Sequence, residues 1–393
     1  MSLLTNTQES ISLSSAEFVN LAVRFSVVYG AACAAWKMPG EDQMHLILDL
    51  DGASEVNEFT LEDISSGFLM APFDDSKGIL HIRNDIHINL ATKEISSLSL
   101  DHREKFKEFI KNQTHESKQY VQTTVKRSES LSSEHFIEMV NKAISNIRLG
   151  AFQKVVPSRY KKVALNDDFD RGDFFGKLCK SYPGAFTSLV YTPTSGLWLG
   201  ATPELLLELK ANTFKTVSLA GTQKFTGQSL TDVAWTQKEI EEQALVSRYI
   251  INCFKKIRLR EFDENGPKTV KAGNLIHLKT EFTVDMESTN FHDLGSVMLK
   301  LLHPTSAICG MPLNPSLEFI HKHENYDRGY FSGYLGPVDF DNSTSLFVNL
   351  RCMTIAGNTA TLYAGAGVTA DSNPEKEWQE TEMKMNTLLN LIY

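Results

Sequence analysis

Two pairs of strand-like segments joined by short turns limit most strongly what this chain of 393 residues can fold into. Residues 186–191 and 197–201 flank a Pro-Thr-Ser-Gly turn. Residues 346–355 alternate in polarity, reach Gly357-Asn358 and return over residues 361–368. Strands joined by so few residues pair in antiparallel fashion. Mixed with amphipathic helices, these hairpins predict an α+β protein built on antiparallel sheets.

Helix signals occur at both ends and in the middle of the chain. Ser14-Ser-Ala-Glu17 has the capping-box pattern and precedes apolar residues at helical spacing. A second apolar stripe covers residues 136–147, and Asn373-Pro374 is a favourable start for a helix at the C-terminus.

The composition is that of an ordinary globular protein, with 42% hydrophobic and 22% charged residues. A net charge of -9 argues against general nucleic-acid binding and requires local cations for any anionic substrate. The five cysteines are odd in number and lack metal or redox spacing, which favours free thiols in a reducing compartment. Residues 1–6 do not have the pattern of a signal peptide, and residues 18–36 are too polar for a membrane span. We therefore expect a cytoplasmic protein without membrane contact.

A polar stretch rich in Ser, Thr, Gln and Lys covers residues 111–133. Such a composition is typical of a surface connection. We therefore predict an N-terminal portion over residues 1–130, which has no recognisable motif, and a C-terminal portion over residues 131–393, which holds the segments with chemical meaning.

Lys154 lies in a predicted strand over residues 152–159, on the same face as Phe152 and Val156. Pro157 indicates an edge or a bulge in that strand. A lysine among apolar neighbours becomes a general base when burial lowers its pKa. The alternative is an edge-strand lysine that prevents aggregation.

Three glutamates are candidate ligands for a hard divalent cation. Glu242 lies roughly 35° from the centre of the apolar stripe of its predicted helix, and an inward carboxylate needs a partner or a metal ion. Glu377 and Glu380 lie on one stripe of the last helix, together with Lys384. Magnesium prefers such oxygen ligands. The alternative is that these are solvated surface glutamates.

Two further charged residues and a pair of glycines have both a functional and a structural interpretation. Glu204 precedes an apolar segment, where its pKa can rise enough for acid catalysis, or it starts a strand and faces water. Arg351, placed in the middle of a predicted strand, suits a carboxylate ligand or an internal salt bridge. Gly365 and Gly367 permit close approach of an anion or a turn.

A zinc site formed by Cys309, His321 and His323 matches no strong spacing template. The sequence also lacks a phosphate-binding P-loop and a dinucleotide-binding glycine pattern.

In order and together, the motifs between residues 136 and 391 resemble those of the chorismate-utilising enzymes, and within them the isochorismate synthases. The matching segments are FQKVVPSR, ATPELL, LAGT, KEIEEQALV, HPTSAICGMP, GYFSGYLGPV, VNLRC, AGAGV and EKEWQETEMK. The resemblance implies a large antiparallel sheet sandwich flanked by helices, with the site between the layers. It also implies an isomerase that uses Mg²⁺, adds water at C2 of chorismate and removes the C4 hydroxyl to give isochorismate.

The resemblance further implies a role for each matching position. Lys154 would activate the water, and Glu204 would protonate the departing hydroxyl. The implied magnesium ligands are Glu242, Glu377 and Glu380. The implied substrate-binding residues are Gly221, Thr222, Ala307, Ile308, Phe331, Arg351, Tyr363, Gly365 and Lys384.

Residue types separate the branches of this family. Branches that use ammonia typically have Gln at the position of Lys154, and the aminodeoxychorismate branch usually has a nucleophilic lysine at the position of Ala220. The salicylate-forming branch tends to have Thr where this chain has Ala307. The chain departs from the usual pattern at Pro157, where Leu is common, and at Gln243, where His or Asn is common.

These differences favour water as the nucleophile and a monomer that needs no glutamine amidotransferase subunit. A salicylate synthase, which would go on to eliminate pyruvate, and a chorismate-binding protein without activity remain the alternatives. The pathway that consumes the product, towards menaquinone, a siderophore or salicylate, is open at this point.

Overall fold

The fold comes from a computed structural model that describes residues 13–74, 76–113, 131–272 and 275–393. Most of the predicted polar connection, and the N-terminal segment considered as a signal peptide, lie outside these ranges. The described helices are α1 (Ser15–Tyr29), α2 (Leu100–Gln113), α3 (Ser133–Arg148), α4 (Arg171–Ser181), α5 (Gln237–Lys256), α6 (Leu294–Leu302), α7 (Leu313–His323) and α8 (Pro374–Ile392), with a short 3-10 turn at Leu230–Asp232.

The strands, numbered in chain order, are β1 (Ala32–Lys37), β2 (Met44–Asp49), β3 (Ser54–Val56), β4 (Gly67–Ala71), β5 (Ile79–Arg83), β6 (Ile86–Asn89), β7 (Ile95–Ser97), β8 (Lys154–Val155), β9 (Ser158–Ala164), β10 (Phe186–Thr192), β11 (Gly196–Thr202), β12 (Leu205–Lys210), β13 (Thr213–Lys224), β14 (Asp263–Ala272), β15 (Leu275–Asp285), β16 (Gly310–Met311), β17 (Tyr334–Val338), β18 (Ser343–Val348), β19 (Cys352–Ala356) and β20 (Thr359–Gly365).

Two large antiparallel sheets are formed by these strands. Sheet 1 has the order β7-β6-β2-β1-β10-β11-β19-β20-β9, and sheet 2 has the order β14-β15-β13-β12-β18-β17-β4-β5-β3. A third sheet contains only β8 and β16. The predicted α+β architecture with antiparallel sheets is confirmed.

Side chains from both large sheets meet in one apolar layer. Phe186 of sheet 1 stacks on Phe347 of sheet 2, with ring centroids 4.1 Å apart, and Trp36 packs against Phe68 across the same interface. These aromatic residues are buried. Because large apolar rings fill the space between the sheets, the sheets form a sandwich with a continuous core.

The helices cover the two outer faces of this sandwich. Helices α1, α2, α4 and α8 contribute to the core on the far side of sheet 1, and α3, α5, α6 and α7 contribute to the core on the far side of sheet 2. The predicted caps are present: Ser14 and Glu17 form the capping box of α1, and the Asn373 side chain accepts from the Lys376 N–H at the start of α8. None of the helices within the described ranges combines the length and apolar character of a bilayer span.

Strands that precede residue 130 belong to both large sheets. Strand β1 lies between β2 and β10 in sheet 1, and β4 lies between β17 and β5 in sheet 2. The N-terminal portion therefore supplies interior strands to the same sandwich as the C-terminal portion.

Two predicted strands are interrupted in the structure. The segment 152–159 divides into β8 and β9 at Val156-Pro157, as expected for a residue that has no N–H for a sheet ladder. The segment 346–355 divides at residues 349–351, so the prediction that Arg351 lies within a strand was wrong. Its backbone has a φ of 49°, which is incompatible with a strand. Strand β18 belongs to sheet 2, and only β19 and β20 form the predicted hairpin.

Candidate active site

A cavity of about 920 Å³, counted with its open mouth, contains most of the predicted site residues in its wall. The predicted residues that line it are Lys154, Glu204, Thr222, Glu242, Ala307, Ile308, Phe331, Arg351, Tyr363, Gly365, Glu380 and Lys384. Gly221 lies between two lining residues, and Glu377 lies behind Glu380 on α8.

The cavity lies where the chain crosses twice between the two large sheets. Glu204 is in the link from β11 of sheet 1 to β12 of sheet 2, and Arg351 is in the link from β18 of sheet 2 to β19 of sheet 1. The Val348 N–H donates to the Glu204 carbonyl over 2.9 Å, which joins the two links. The sandwich therefore places a carboxyl group and a guanidinium group at adjacent crossings.

Lys154 is buried, with 5% of its surface exposed, on the short strand β8. Burial lowers the pKa of its ammonium group, Lys384 lowers it further, and Glu242 opposes the shift. A Cβ at Gly367 would lie 3.1 Å from Lys154 Cε, so this glycine makes room for the lysine side chain. The structure thus supports the interpretation of Lys154 as an inward residue with a lowered pKa.

Glu204 faces the same cavity, and its pKa is shifted in the direction expected for an acid. Burial raises this pKa from 4.5 to about 7, against the influence of Lys154, Lys384 and Arg351. The carboxyl group can therefore retain its proton near neutral pH.

Two cationic side chains provide positive charge in the cavity wall. Lys384 Nζ donates to the Gly365 carbonyl over 2.8 Å and lies 2.7 Å from Glu380 Oε1. The guanidinium of Arg351 is close enough to donate to the Lys384 carbonyl, over 3.4 Å. Burial lowers the pKa of Arg351 to about 10, which leaves it charged at neutral pH. Their charges suit a substrate with carboxylate groups.

Aromatic rings form one wall of the cavity. Phe331 and Tyr363 both line it, and their rings stack with centroids 5.4 Å apart. Both were predicted as pocket walls. A flat apolar surface of this kind suits the face of a ring-shaped substrate.

Two of the three glutamates predicted as metal ligands, Glu242 and Glu377, lie near the ammonium group of Lys238, whereas Glu380 pairs with Lys384. Lys238 Nζ is 3.2 Å from Glu377 Oε1 and 3.9 Å from Glu242 Oε1. Burial alone would lower the pKa of Lys238, but these two carboxylates outweigh it and raise the pKa. The spacing of Lys238 and Glu242, four residues apart on α5, was a signal for this pair in the sequence.

The donor set at this position fits a hard divalent cation. Glu377 is 1% exposed, its Oε2 lacks a hydrogen-bond partner, and burial followed by the charge of Glu380 raises its pKa. Carboxylate oxygens with unmet bonding capacity are what Mg²⁺ prefers.

The candidate ligands are not gathered into a finished metal site. Within the described ranges, no three His, Cys, Asp or Glu side chains are close enough together to hold an ion. This holds also for Cys309, His321 and His323, the weak zinc candidate. The magnesium site at Glu242, Glu377 and Glu380 therefore stays a prediction.

His277 lines the cavity and was not predicted from the sequence. It is 4% exposed, and its Nδ1 lies 3.0 Å from the Gly221 carbonyl and 3.2 Å from Thr222 Oγ1. Burial lowers its pKa to about 4, so the ring is neutral at pH 7. A donor bond from Nδ1–H to the Gly221 carbonyl leaves Nε2 as an acceptor. A single histidine in an apolar strand carries no local signal that separates this arrangement from a core histidine.

A family model described as "Chorismate binding enzyme" matches residues 76–393. Among curated proteins, the chain is 28% identical over 263 residues to isochorismate synthase EntC of Escherichia coli (strain K12), covering 65% of this chain and 66% of that protein. It is 27% identical over 261 residues to isochorismate synthase MenF of Haemophilus influenzae, covering 65% and 60%. The alignments thus span slightly less than two thirds of the length of these relatives.

Among solved structures, the chain is similar to MenF, the menaquinone-specific isochorismate synthase from Escherichia coli. The TM-score is 0.74 at 21% sequence identity, and the superposition covers 95% of this chain and 91% of that chain. At this identity the similarity concerns the fold, and it confirms the architecture implied by the motifs.

Proposed function

We propose, on the premise that the chain belongs to the chorismate-binding enzyme family, that it converts chorismate to isochorismate. The observation that carries the proposal is that Lys154 and Glu204 face one buried cavity with pKa shifts in opposite directions. A lysine base needs a lowered pKa, and a carboxylic acid needs a raised one. The names of the relatives, EntC and MenF isochorismate synthases, support the same reaction.

The reaction requires removal of a proton from the attacking water molecule and donation of a proton to the departing C4 hydroxyl group. Neutral Lys154 accepts a proton from a water molecule as its oxygen bonds to C2 of the ring. Protonated Glu204 donates to the C4 hydroxyl, which leaves as water while the ring double bonds shift. The proton count balances, because one group gains what the other loses.

Charge placement supports chorismate as the substrate. Chorismate carries two carboxylates, and a protein with a net charge of -9 needs local cations to hold them. Arg351 and Lys384 supply two positive charges in the cavity wall. Phe331 and Tyr363 supply a flat apolar wall beside them.

We propose Mg²⁺ as the cofactor, held by Glu242 and Glu380 with Glu377 assisting. When bound, the ion supplies positive charge for a substrate carboxylate. The residues of the chain contribute the ligands, and Lys384 beside Glu380 stays available for the substrate.

The direct test is to incubate the purified protein with chorismate and Mg²⁺ and to separate the products by HPLC. We expect isochorismate as the main product. Salicylate as the main product would favour a synthase that also eliminates pyruvate. Binding of chorismate without any conversion would favour a binding protein without activity, and either result would refute the proposal.

Lys154→Ala tests the role of the base. We expect turnover to fall by at least about 10²-fold, as for loss of a general base, while chorismate binding measured by calorimetry persists. Lys162→Ala is the matched control, because Lys162 lies on β9 but not in the cavity wall. A kcat near that of the wild type for Lys154→Ala would remove the base assignment.

A further inference from the structure

The strand that carries Lys154 is short and is followed closely by a proline. Strand β8 contains two residues, pairs with β16, and forms one isolated bridge, between Val155 and Val368. Val156-Pro157 separates it from β9, and the proline nitrogen cannot donate to a neighbouring strand. A base on so short a strand needs another source of rigidity.

A buried ion pair holds the chain on both sides of Pro157. Arg328 Nη2 donates to the Val156 carbonyl over 2.7 Å. Glu324 Oε1 accepts from the Ser158 N–H over 2.7 Å and from the Ser158 hydroxyl over 2.9 Å. Arg328 and Glu324 are themselves 2.5 Å apart, with side-chain exposures of 3% and 2%. The pair thus binds the backbone groups on both sides of Pro157, while the Pro157 carbonyl itself accepts from the Ala366 N–H over 3.1 Å.

The same guanidinium reaches a second segment of the cavity wall. Arg328 Nη1 donates to the Ile308 carbonyl over 3.0 Å. The next carbonyl, of Cys309, accepts from the Val156 N–H over 2.9 Å. The guanidinium also lies 4.2 Å from the centre of the Phe73 ring, which limits its movement. One side chain therefore joins the Lys154 segment to the Ile308 segment.

The energetics of buried ion pairs argue for a positioning role. Two charges removed from water lose solvation that their attraction only partly returns. Replacing both partners with uncharged groups is often neutral for stability, whereas removing one partner is costly. A pair that adds little net stability, yet holds two segments of a reaction site, is best explained by the geometry that it maintains.

We propose that Glu324 and Arg328 are positioning residues that fix the distance between the Lys154 segment and the Ile308 segment. The proposal rests on the proposed function only for its kinetic consequence. Its structural consequence, the rigidity of the two segments, is independent of which reaction the cavity performs.

The test compares the double variant Glu324→Gln/Arg328→Met with the wild type in three measurements. Thermal unfolding should show a melting temperature within a few degrees of the wild type. Hydrogen–deuterium exchange should be at least about tenfold faster in peptides covering residues 152–160 and 305–312. With chorismate and Mg²⁺, kcat should fall by about 10²-fold, as for a reacting group displaced by about 1 Å, while KM changes less than about threefold.

Two further variants complete the design. Asp49→Asn/Arg83→Met is the matched control, because it removes an ion pair that has a buried carboxylate and lies outside the cavity wall. For this control, hydrogen–deuterium exchange in the two peptides and kcat should stay near the wild-type values. Arg328→Lys retains the positive charge, but the lysine side chain cannot donate to both the Val156 and the Ile308 carbonyls. We therefore expect a folded protein with faster hydrogen–deuterium exchange and a reduced kcat. This variant carries the test if the double variant fails to fold.

The outcomes separate the two proposals. Unchanged exchange and unchanged kcat in a folded double variant, or in Arg328→Lys, would overturn the positioning role. A wild-type protein that does not convert chorismate would overturn the proposed function, while the exchange measurement would still decide the role of the ion pair.

Discussion

Individual side chains in this cavity have protonation behaviour that conflicts with their usual state in water. A buried glutamic acid and a buried lysine, without a direct bond between them, cost stability because the interior disfavours their charged forms. Glu204 and Lys154 both show shifts of this origin. Such groups are typical of sites where function, rather than stability, determines the residue.

Glu204→Gln should stabilise the protein at alkaline pH. The folded pKa of about 7 exceeds the ordinary value of 4.5, so the wild type loses stability as pH rises from 4.5 to about 7. Glutamine cannot ionise, and the variant should therefore gain about 3 kcal/mol over the wild type at pH 8, with the difference disappearing near pH 4.

Urea denaturation at the two pH values checks this expectation. Glu261→Gln, at an exposed position, is the control and should unfold like the wild type. An advantage of Glu204→Gln that was equal at both pH values would mean that ionisation of Glu204 is not its cause.

Lys238 competes with any divalent cation for the same carboxylates. Lys238→Met should strengthen Mg²⁺ binding by about two- to fivefold, because a half-exposed ion pair is worth about 0.5–1 kcal/mol. Glu242→Gln should weaken it. Calorimetric titration of Mg²⁺ into the protein without substrate measures both effects. Equal affinities for the wild type and both variants would exclude this cluster as the magnesium site.

At the scale of elements, the loop between β20 and α8 determines how closely the chain approaches Lys154. Gly367→Ala would add a methyl group 3.1 Å from Lys154 Cε and 3.5 Å from its Nζ. The side chain would have to shift, and we expect kcat to fall by about tenfold or more with a small change in melting temperature.

Gly176→Ala in α4 is the matched control, since a Cβ there meets no atom within 4 Å. Steady-state kinetics of the two alanine variants make the comparison. Normal kcat for Gly367→Ala would show that the Lys154 position tolerates this displacement.

Periodicity predicted the elements but not the places where they break. Residues 346–355 alternate throughout, yet the chain leaves sheet 2 after Val348 and enters sheet 1 at Cys352. Alternation describes which face a residue takes, and it contains no information about which sheet the strand joins. Arg351, a predicted substrate-binding residue, lines the cavity, although its predicted backbone conformation was wrong.

Residues whose place in the cavity wall depends on contacts with distant segments could not be predicted from the sequence either. Arg328 and His277 enter the cavity wall through contacts with segments far away in the chain. By contrast, the local sequence around Lys154 and Glu204 left a structural alternative open, and their predicted roles came from the order of the motifs along the chain.

At the scale of the whole molecule, residues 131–393 should not fold alone. Without β1, strand β10 loses a neighbour inside sheet 1, and without β4, strand β17 loses a neighbour inside sheet 2. Unpaired apolar strands of this kind aggregate. We expect the fragment to be mostly insoluble, and the soluble fraction after expression together with circular dichroism measures this. A soluble fragment with cooperative unfolding would show that the two portions are separable.

The side chains of Glu204 and Arg351 both lie on short links, and each link joins a strand of sheet 1 to a strand of sheet 2. The distance between the Glu204 carboxyl group and the Arg351 guanidinium therefore depends on the distance between the two sheets. The stacked rings of Phe186 and Phe347 help to set that distance. A change of ring size at either position, although neither ring lines the cavity, would therefore change the spacing of these two side chains and with it the rate of turnover.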